Sequence, residues 1–201
     1  MVALQFLCRT LLLAAVVLTA HADPLPSLLL VAKPGLLDPN FRETVVLVTR
    51  TPDAQTVGVI LNRPIGLKLS ELSHSPAAAS YKAPLFFGGP VMGRTPVGVF
   101  HSSTPPPAPA FEVAKDVYLS MHPGNIEPLI AGNHPEFRLY AGFAGWAPGQ
   151  LENELERDGW YMLPMREDVL FRANTDGLWR ELIELAQRRY TQRREPAFTA
   201  T

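Results

Sequence analysis

Short apolar segments rich in β-branched residues recur along most of the chain, and turn-forming residues separate them. The clearest are Leu28 to Ala32, Thr44 to Thr49 and Val57 to Leu61. Such segments are typical of strands, and the short connection between the second and the third favours an antiparallel hairpin. Further strand-like segments lie at 85–87, 97–100, 116–120, 138–141, 160–163 and 169–171. This spread predicts a mixed sheet.

Two segments carry a helical period instead. Residues 148–157 place Leu151 and Leu155 four positions apart on one face, and we expect Gly159 to cap the end of that helix. The second helix is expected over about 176–190, after Thr175 as N-cap. Its apolar stripe consists of Leu178, Leu182, Leu185 and Ala186. Strands combined with a few helices predict an α+β fold.

The length of 201 residues and a hydrophobic fraction of 47% suffice for one compact core. We therefore expect a single domain over residues 23–201. Residues 1–22 have the pattern of a secretory signal peptide, with Arg9 in the head, an apolar run, and Ala20 and Ala22 before the expected cleavage site. That run is far shorter than the roughly 20 residues that cross a bilayer. An uncleaved anchor and a wrongly chosen start codon are the alternatives.

Export restricts the chemistry of the mature protein. Cys8, the only cysteine, lies in the signal segment, so the mature protein would contain no thiol and no disulfide. Loss of Arg9 moves the formal net charge from -1 to -2. A near-neutral protein lacks the excess positive charge that drives binding to a phosphate backbone. We expect a periplasmic or secreted protein without a membrane span after cleavage and without specific nucleic-acid binding.

Familiar catalytic motifs are missing from the sequence. The glycine-rich run 142–149 has neither the G-x-G-x-x-G spacing nor a Walker lysine, and glutamates follow it. The histidines do not have metal-ligand spacing, and neither G-x-S-x-G nor S-x-x-K occurs. A trio of His101, Asp38 and Ser102 could be assembled on paper, but nothing in the sequence favours it. We expect no catalytic residues, no metal and no cofactor.

The ends of several predicted strands carry residues that could bind a partner protein or a small ligand. Arg63 could recognise such a partner, or it could lock nearby carbonyl groups. Trp146 could be an exposed anchor or a plug in the core. Because loops at strand ends often carry function on a rigid scaffold, we expect one surface to contain the following residues. They are Asn62, Arg63, Gly88, Gly89, Pro90, Gly145, Trp146 and Gln150.

Six strings in a fixed order carry a resemblance to a known family. They are LLVAKP at 29–34, LDPNF at 37–41, TVVL at 44–47, GVILNRP at 58–64, GGPV at 88–91 and YAGFAGWAPGQLE at 140–152. On these strings the chain resembles the YqgE/AlgH family, also called DUF179 or UPF0301, over about 27–187. The resemblance implies a largely antiparallel, mixed sheet that forks and curls into a pseudo-barrel with helices packed outside. It implies no established catalytic residues, and members are often labelled transcriptional regulators.

The chain departs from the family pattern at both the N-terminus and one turn. Where relatives usually carry a Glu-His-Asn turn, this chain has Thr49-Arg50-Thr51, and relatives are expected to be cytoplasmic. Three functions stay open: a non-catalytic binding or regulatory module of the cell envelope, a transcriptional regulator, and a hydrolase. The signal pattern and the near-neutral charge favour the first.

Overall fold

Ten strands and four α-helices make up the part of the chain that the computed structural model describes, residues 27–132 and 134–194. The strands are β1 (Leu28–Ala32), β2 (Val45–Arg50), β3 (Thr56–Ile60), β4 (Pro64–Ile65), β5 (Leu85–Phe87), β6 (Val91–His101), β7 (Phe111–Ala114), β8 (Val117–Ser120), β9 (Phe137–Trp146) and β10 (Trp160–Pro164). The helices are α1 (Pro123–Gly132), α2 (Gln150–Glu156), α3 (Glu167–Leu170) and α4 (Leu178–Arg194). Short 3₁₀ turns lie at Leu69–Glu71 and Pro76–Ala79. The expected signal peptide and Cys8 lie outside the described residues.

One mixed sheet, paired in the order β10-β1-β2-β3-β9-β6-β8-β7, connects these strands. Its pairs are antiparallel except for β5 and β9. Strand β9 pairs with β3, β5 and β6, so the sheet forks there. The predicted α+β class with a mixed, largely antiparallel sheet is confirmed. The sheet is not closed into a barrel, because β10 and β7 are the two ends of the pairing order and do not pair with each other.

The core is divided by the faces of the sheet. Alternate side chains of β1 point to opposite faces, so that Leu29 and Val31 enter a central cluster while Leu30 and Ala32 enter an outer one. The central cluster also contains residues of β7 and β8, which packs the two halves of the curled sheet against each other. The stripe of α4 joins this central cluster, whereas α2 contributes Leu151 to the outer cluster on β1–β3. A third cluster joins α1 to the other side of β6 and β9.

Several local predictions differ from the structure. The segment 169–171 is not a strand, because Val169 and Leu170 belong to α3 and bury their side chains in the central cluster. Helix α4 begins at Leu178, later than expected, so Thr175 is not its N-cap. Asp158 rather than Gly159 has the left-handed conformation after α2, with φ of 63°. Gly159 still contributes to the C-terminal cap of α2, because its N–H donates to the main-chain carbonyl of Glu154.

Candidate functional site

A loop of residues 33–43 connects β1 to β2, and the side chain of Arg63 forms hydrogen bonds to its backbone. The Arg63 guanidinium donates to the main-chain carbonyls of Asn40 at 2.7 Å and Arg42 at 2.9 Å. A planar guanidinium suits this task because it presents several donors in a fixed fork. Burial lowers the pKa of Arg63 from its ordinary value, and the charge of Arg42 adds to the effect. The carbonyl acceptors thus hold a partly desolvated cation under the loop.

Asn62 fixes the end of the same loop. Its side-chain oxygen accepts from the N–H of Val45 at 2.8 Å, and its amide nitrogen donates to the carbonyl of Glu43 at 2.9 Å. Glu43 has a positive φ of 56°, a conformation that most residues avoid. The amide of Asn62 therefore supports the strained residue through which the loop enters β2.

An aromatic cluster supports the loop from the side of α2. The Phe41 ring packs at 5.6 Å from Trp146 and at 5.7 Å from Trp160, measured between centroids. Both indole N–H groups donate to one carboxylate oxygen of Glu154, at 3.1 Å from Trp146 and 3.0 Å from Trp160. Gln150 donates to the other carboxylate oxygen at 3.2 Å. Trp146 is only 2% exposed, so its ring packs in the core and does not face solvent.

The predicted glycines mark a close approach between two stretches of backbone. A Cβ atom on Gly88 would lie 2.0 Å from the carbonyl oxygen of Gly142, and one on Gly89 would lie 2.3 Å from the carbonyl carbon of Phe143. No larger residue fits there without displacing β9. Gly145 itself lies within β9, opposite Val57 of β3. Gly88 and Gly89 therefore serve packing in the sheet, while Pro90 beyond them is exposed.

The loop and β9 connect the eight predicted site residues. Phe87 donates its N–H to the Arg63 carbonyl at 2.8 Å, which places Gly88 and Pro90 directly after the strand that flanks Arg63. Trp146 contacts the same loop through Phe41, and Gln150 is linked to Trp146 through the carboxylate of Glu154. Most of these side chains bond within the protein and support the loop. Whether the region binds a partner stays a prediction.

Leu37 is a loop residue that the sequence did not single out. Its side chain is 89% exposed, whereas its neighbour Leu36 packs against the outer cluster. Lys33 anchors the start of the loop, because its ammonium pairs with Asp158 and its N–H donates to the carbonyl of Gly159. Two adjacent leucines in a turn-rich insert gave a usable signal, since a short loop can seldom bury both. The structure thus presents one large apolar side chain on a loop anchored at several points.

The trio considered from sequence has different neighbours in the structure. His101 Nδ1 lies 3.7 Å from a carboxylate oxygen of Glu136, and Ser102 donates its hydroxyl to the carbonyl of Thr104 at 2.6 Å. Asp38 accepts from the N–H of Asn40 at 2.8 Å. Among residues 27–132 and 134–194, no group of three or more histidines and carboxylates is arranged to hold a metal ion.

A buried polar pair lies on β9, facing the central cluster. Arg138 is 6% exposed, donates to the Arg172 carbonyl and places its guanidinium 4.5 Å from the centroid of the Phe86 ring. One of its terminal nitrogens and the hydroxyl of Tyr140 are buried without a hydrogen-bond partner in the described part of the chain. Burial raises the pKa of Tyr140 to about 12, against the opposing effect of the Arg138 charge.

Comparison with known proteins decides the family. A family model described as AlgH-like, DUF179, matches residues 29–191. The chain belongs to the AlgH-like family. A UPF0301 protein of Thermobifida fusca is 36% identical to it, with 90% of this chain and 95% of that protein covered. A UPF0301 protein of Marinomonas sp. is 32% identical to it, and the alignment covers 79% of this chain and 87% of that protein.

Solved structures support the fold of this AlgH-like chain. The solution structure of the AlgH protein from Pseudomonas aeruginosa superposes with a TM-score of 0.66 at 24% identity, covering 90% of this chain and 98% of that one. The crystal structure of a protein from Corynebacterium diphtheriae superposes with a TM-score of 0.64 at 23% identity, and the match covers 86% of this chain and 88% of that one. At these identities the likeness to the solved structures concerns the fold alone. No helix in the described ranges is long and apolar enough to span a bilayer.

Proposed function

We propose that this AlgH-like protein is a non-catalytic binding or regulatory module of the cell envelope, and that it contacts a partner protein through the 33–43 loop. The observation that carries the proposal is the contrast between Leu37 and the base of its loop. Leu37 is 89% exposed, yet Arg63, Asn62 and Phe41 all hold the backbone beneath it. Ordering the loop in advance removes an entropy cost that binding would otherwise incur.

The chemistry of the loop favours a protein partner. An exposed leucine contributes apolar area, which is the usual content of the centre of a protein interface. The loop also carries Asp38 and Arg42, both exposed, so charged groups of each sign flank the apolar side chain. An apolar centre with a charged rim matches the general anatomy of such interfaces.

The envelope location rests on the sequence pattern of residues 1–22. We expect the mature protein to begin at Asp23 and to be recovered from the periplasmic or the secreted fraction. Fractionation followed by intact mass determination tests this directly. If the protein is instead found in the cytoplasmic fraction with a mass that includes residues 1–22, export is rejected. A function as a transcriptional regulator would then be favoured.

If the protein were a transcriptional regulator, its surface would have to bind duplex DNA. Binding would then depend on the DNA sequence and persist at physiological salt. The formal net charge of -1 offers no general attraction to phosphate, and Arg188 and Arg189 lie together within the last two turns of one helix, α4. We expect only weak association that disappears as salt is raised, measured by fluorescence anisotropy on a labelled duplex.

Capture from envelope extract tests the loop itself. The protein, Leu37→Asp and the control Leu67→Asp are immobilised separately and exposed to the same extract. Leu67 is a suitable control because it is also a solvent-exposed leucine, at 45%, but lies outside the loop. We expect a protein band that is recovered by wild type and Leu67→Asp and lost with Leu37→Asp. Equal recovery by all three would reject the loop as the contact.

A further inference from the structure

Strand β9 carries a buried cation that lacks a carboxylate partner. Arg138 is 6% exposed, and none of the ion pairs within residues 27–132 and 134–194 includes it. It lies against the connection between α3 and α4, where the carboxylates of Asp168 and Glu181 are paired with Arg166 and Arg172 instead. A buried charge without a counter-charge is costly, so this arginine calls for an anion beside it.

The contacts of the Arg138 guanidinium leave one side of it unused. Its Nη2 donates to the main-chain carbonyl of Arg172, and its carbon lies 4.5 Å from the centroid of the Phe86 ring. Its Nη1 is buried and has no acceptor among the described residues. A carbonyl and an aromatic face attract the cation but carry no net negative charge. The guanidinium therefore keeps both a free donor and an uncompensated charge.

Tyr140 places a second unused donor next to the first. It follows Arg138 by two positions along β9, so both side chains point to the same face of the sheet. Its ring packs 5.8 Å from Phe86, and its hydroxyl is buried without a hydrogen-bond partner in the described part of the chain. Burial raises the pKa of Tyr140, and the nearby Arg138 charge opposes this. Tyr81, the third residue with such a buried atom, packs on Phe137 in the third cluster and is not assigned to the site.

We propose that Arg138 and Tyr140 bind a buried chloride ion, which accepts from Nη1 of the arginine and from the hydroxyl of the tyrosine. A water molecule could accept one of these bonds but would leave the charge of Arg138 uncompensated, whereas an anion satisfies the donors and the charge together. Because both polar atoms are fully buried, the site suits a monatomic ion and excludes an organic acid. The ion stabilises the contact between β9 and the α3–α4 connection, and the site is separate from the 33–43 loop.

Exchange of sodium chloride for sodium gluconate at constant ionic strength tests chloride binding by the purified protein, since screening stays the same and gluconate is too large for a buried site. At a chloride concentration about ten times the dissociation constant, the melting temperature should be about 3–6 °C higher than in gluconate. Arg138→Met should lose this difference, and Tyr140→Phe should bind chloride about threefold more weakly. Arg50→Met is the control, because Arg50 is a part-exposed arginine, and it should respond like wild type.

Two measurements on the wild-type protein keep the test independent of whether Arg138→Met folds. Broadening of the chloride-35 resonance should be saturable, with a dissociation constant below about 100 mM. Anomalous diffraction from crystals grown in sodium bromide should place bromide in contact with Nη1 of Arg138 and the hydroxyl of Tyr140. The proposal is overturned if that position holds water or a carboxylate of the protein, if bromide lies only at the surface, or if chloride and gluconate give equal melting temperatures. Bromide in the crystal without broadening in solution would be an adventitious ion only, and would overturn it as well.

Discussion

The guanidinium of Arg63 donates to the main-chain carbonyl of Asn40 across 2.7 Å, and this bond joins the segment between β3 and β4 to the 33–43 loop. A second bond to Arg42 and the aromatic contact of Phe41 with Trp146 complete the support. The loop is therefore ordered although Leu37 at its tip makes little contact with the protein. Order without burial is what distinguishes this loop from an ordinary surface connection.

Arg63→Ala should destabilise the protein and loosen the loop. The loop carbonyls lose a charged donor. A hydrogen bond to a charged group contributes about 1.5–3 kcal/mol net of the bond that water would make, and the partial exposure of Arg63 lowers that contribution. We expect a fall of about 1–3 kcal/mol in the free energy of unfolding, together with faster amide exchange at residues 40–42. Arg50→Ala is the control, because Arg50 is a part-exposed arginine whose ion pair with Glu152 should contribute about 0–1 kcal/mol. Equal losses in both variants would contradict a specific role for Arg63.

Glu154→Leu should cost more than the removal of its neighbour Glu152. Glu154 accepts from both buried indoles, and each donor left without an acceptor costs about 1–3 kcal/mol. Glu152→Leu removes only the surface pair with Arg50 and should change stability by less than about 1 kcal/mol. Glu154→Gln should fall between them, since its oxygen can still accept. Urea denaturation of the three variants measures the differences, and a harmless Glu154→Leu would show that the indoles do not depend on this carboxylate.

Tyr140 should make folding sensitive to alkaline pH. Its pKa is raised from 10.0 to about 12, so the folded state holds the phenol proton more tightly than the unfolded chain does. The stability from this difference is fully present below pH 10 and is lost as the pH rises towards 12. In that window the free energy of unfolding should fall by about 1.4 kcal/mol per pH unit more in wild type than in Tyr140→Phe.

The same variant tests the unpartnered hydroxyl at neutral pH. The buried hydroxyl of Tyr140 has no hydrogen bond of normal geometry among the described residues, and the neighbouring Arg138 guanidinium offers it at most a weak one, so Tyr140→Phe should change stability by less than about 1 kcal/mol. Denaturant titrations at pH 7 and across the alkaline range measure both effects. A loss of more than about 1 kcal/mol at pH 7 would show that the hydroxyl is bonded after all.

Most of the sheet could be predicted from the sequence, because its central strands consist of apolar, β-branched residues that bury side chains on both faces. The short strands β4 and β7 were not predicted, since two and four residues give too little pattern. Helix α1 was not predicted, since Pro123 and Pro128 both lie within it and interrupt the usual pattern. Proline at the first position of a helix is well tolerated, but one in the interior normally argues against a helix. Helix α3 has only four residues, too few for a period to distinguish it from a strand.

The candidate site was harder to predict than the fold, because the sequence shows residue types but not their acceptors. The glycines at 142 and 145 read as a loop after a strand, yet β9 continues to Trp146, and Gly142 adopts a φ of 70° where β6 approaches it closely. Arg63 and Trp146 were expected either to support the structure or to bind a partner. Their acceptors and burial show the support, and only the exposure of Leu37 indicates where a partner could touch.

Site-specific photo-cross-linking in living cells tests the central claim most directly. A benzophenone amino acid replaces Leu37, and in a parallel strain it replaces Ala131, an exposed residue on α1. We expect a light-dependent adduct with one envelope protein from position 37, none from position 131, and loss of the adduct when Arg63→Ala is added. No adduct at position 37, or the same adduct from both positions, would contradict the assignment of the 33–43 loop as the binding surface.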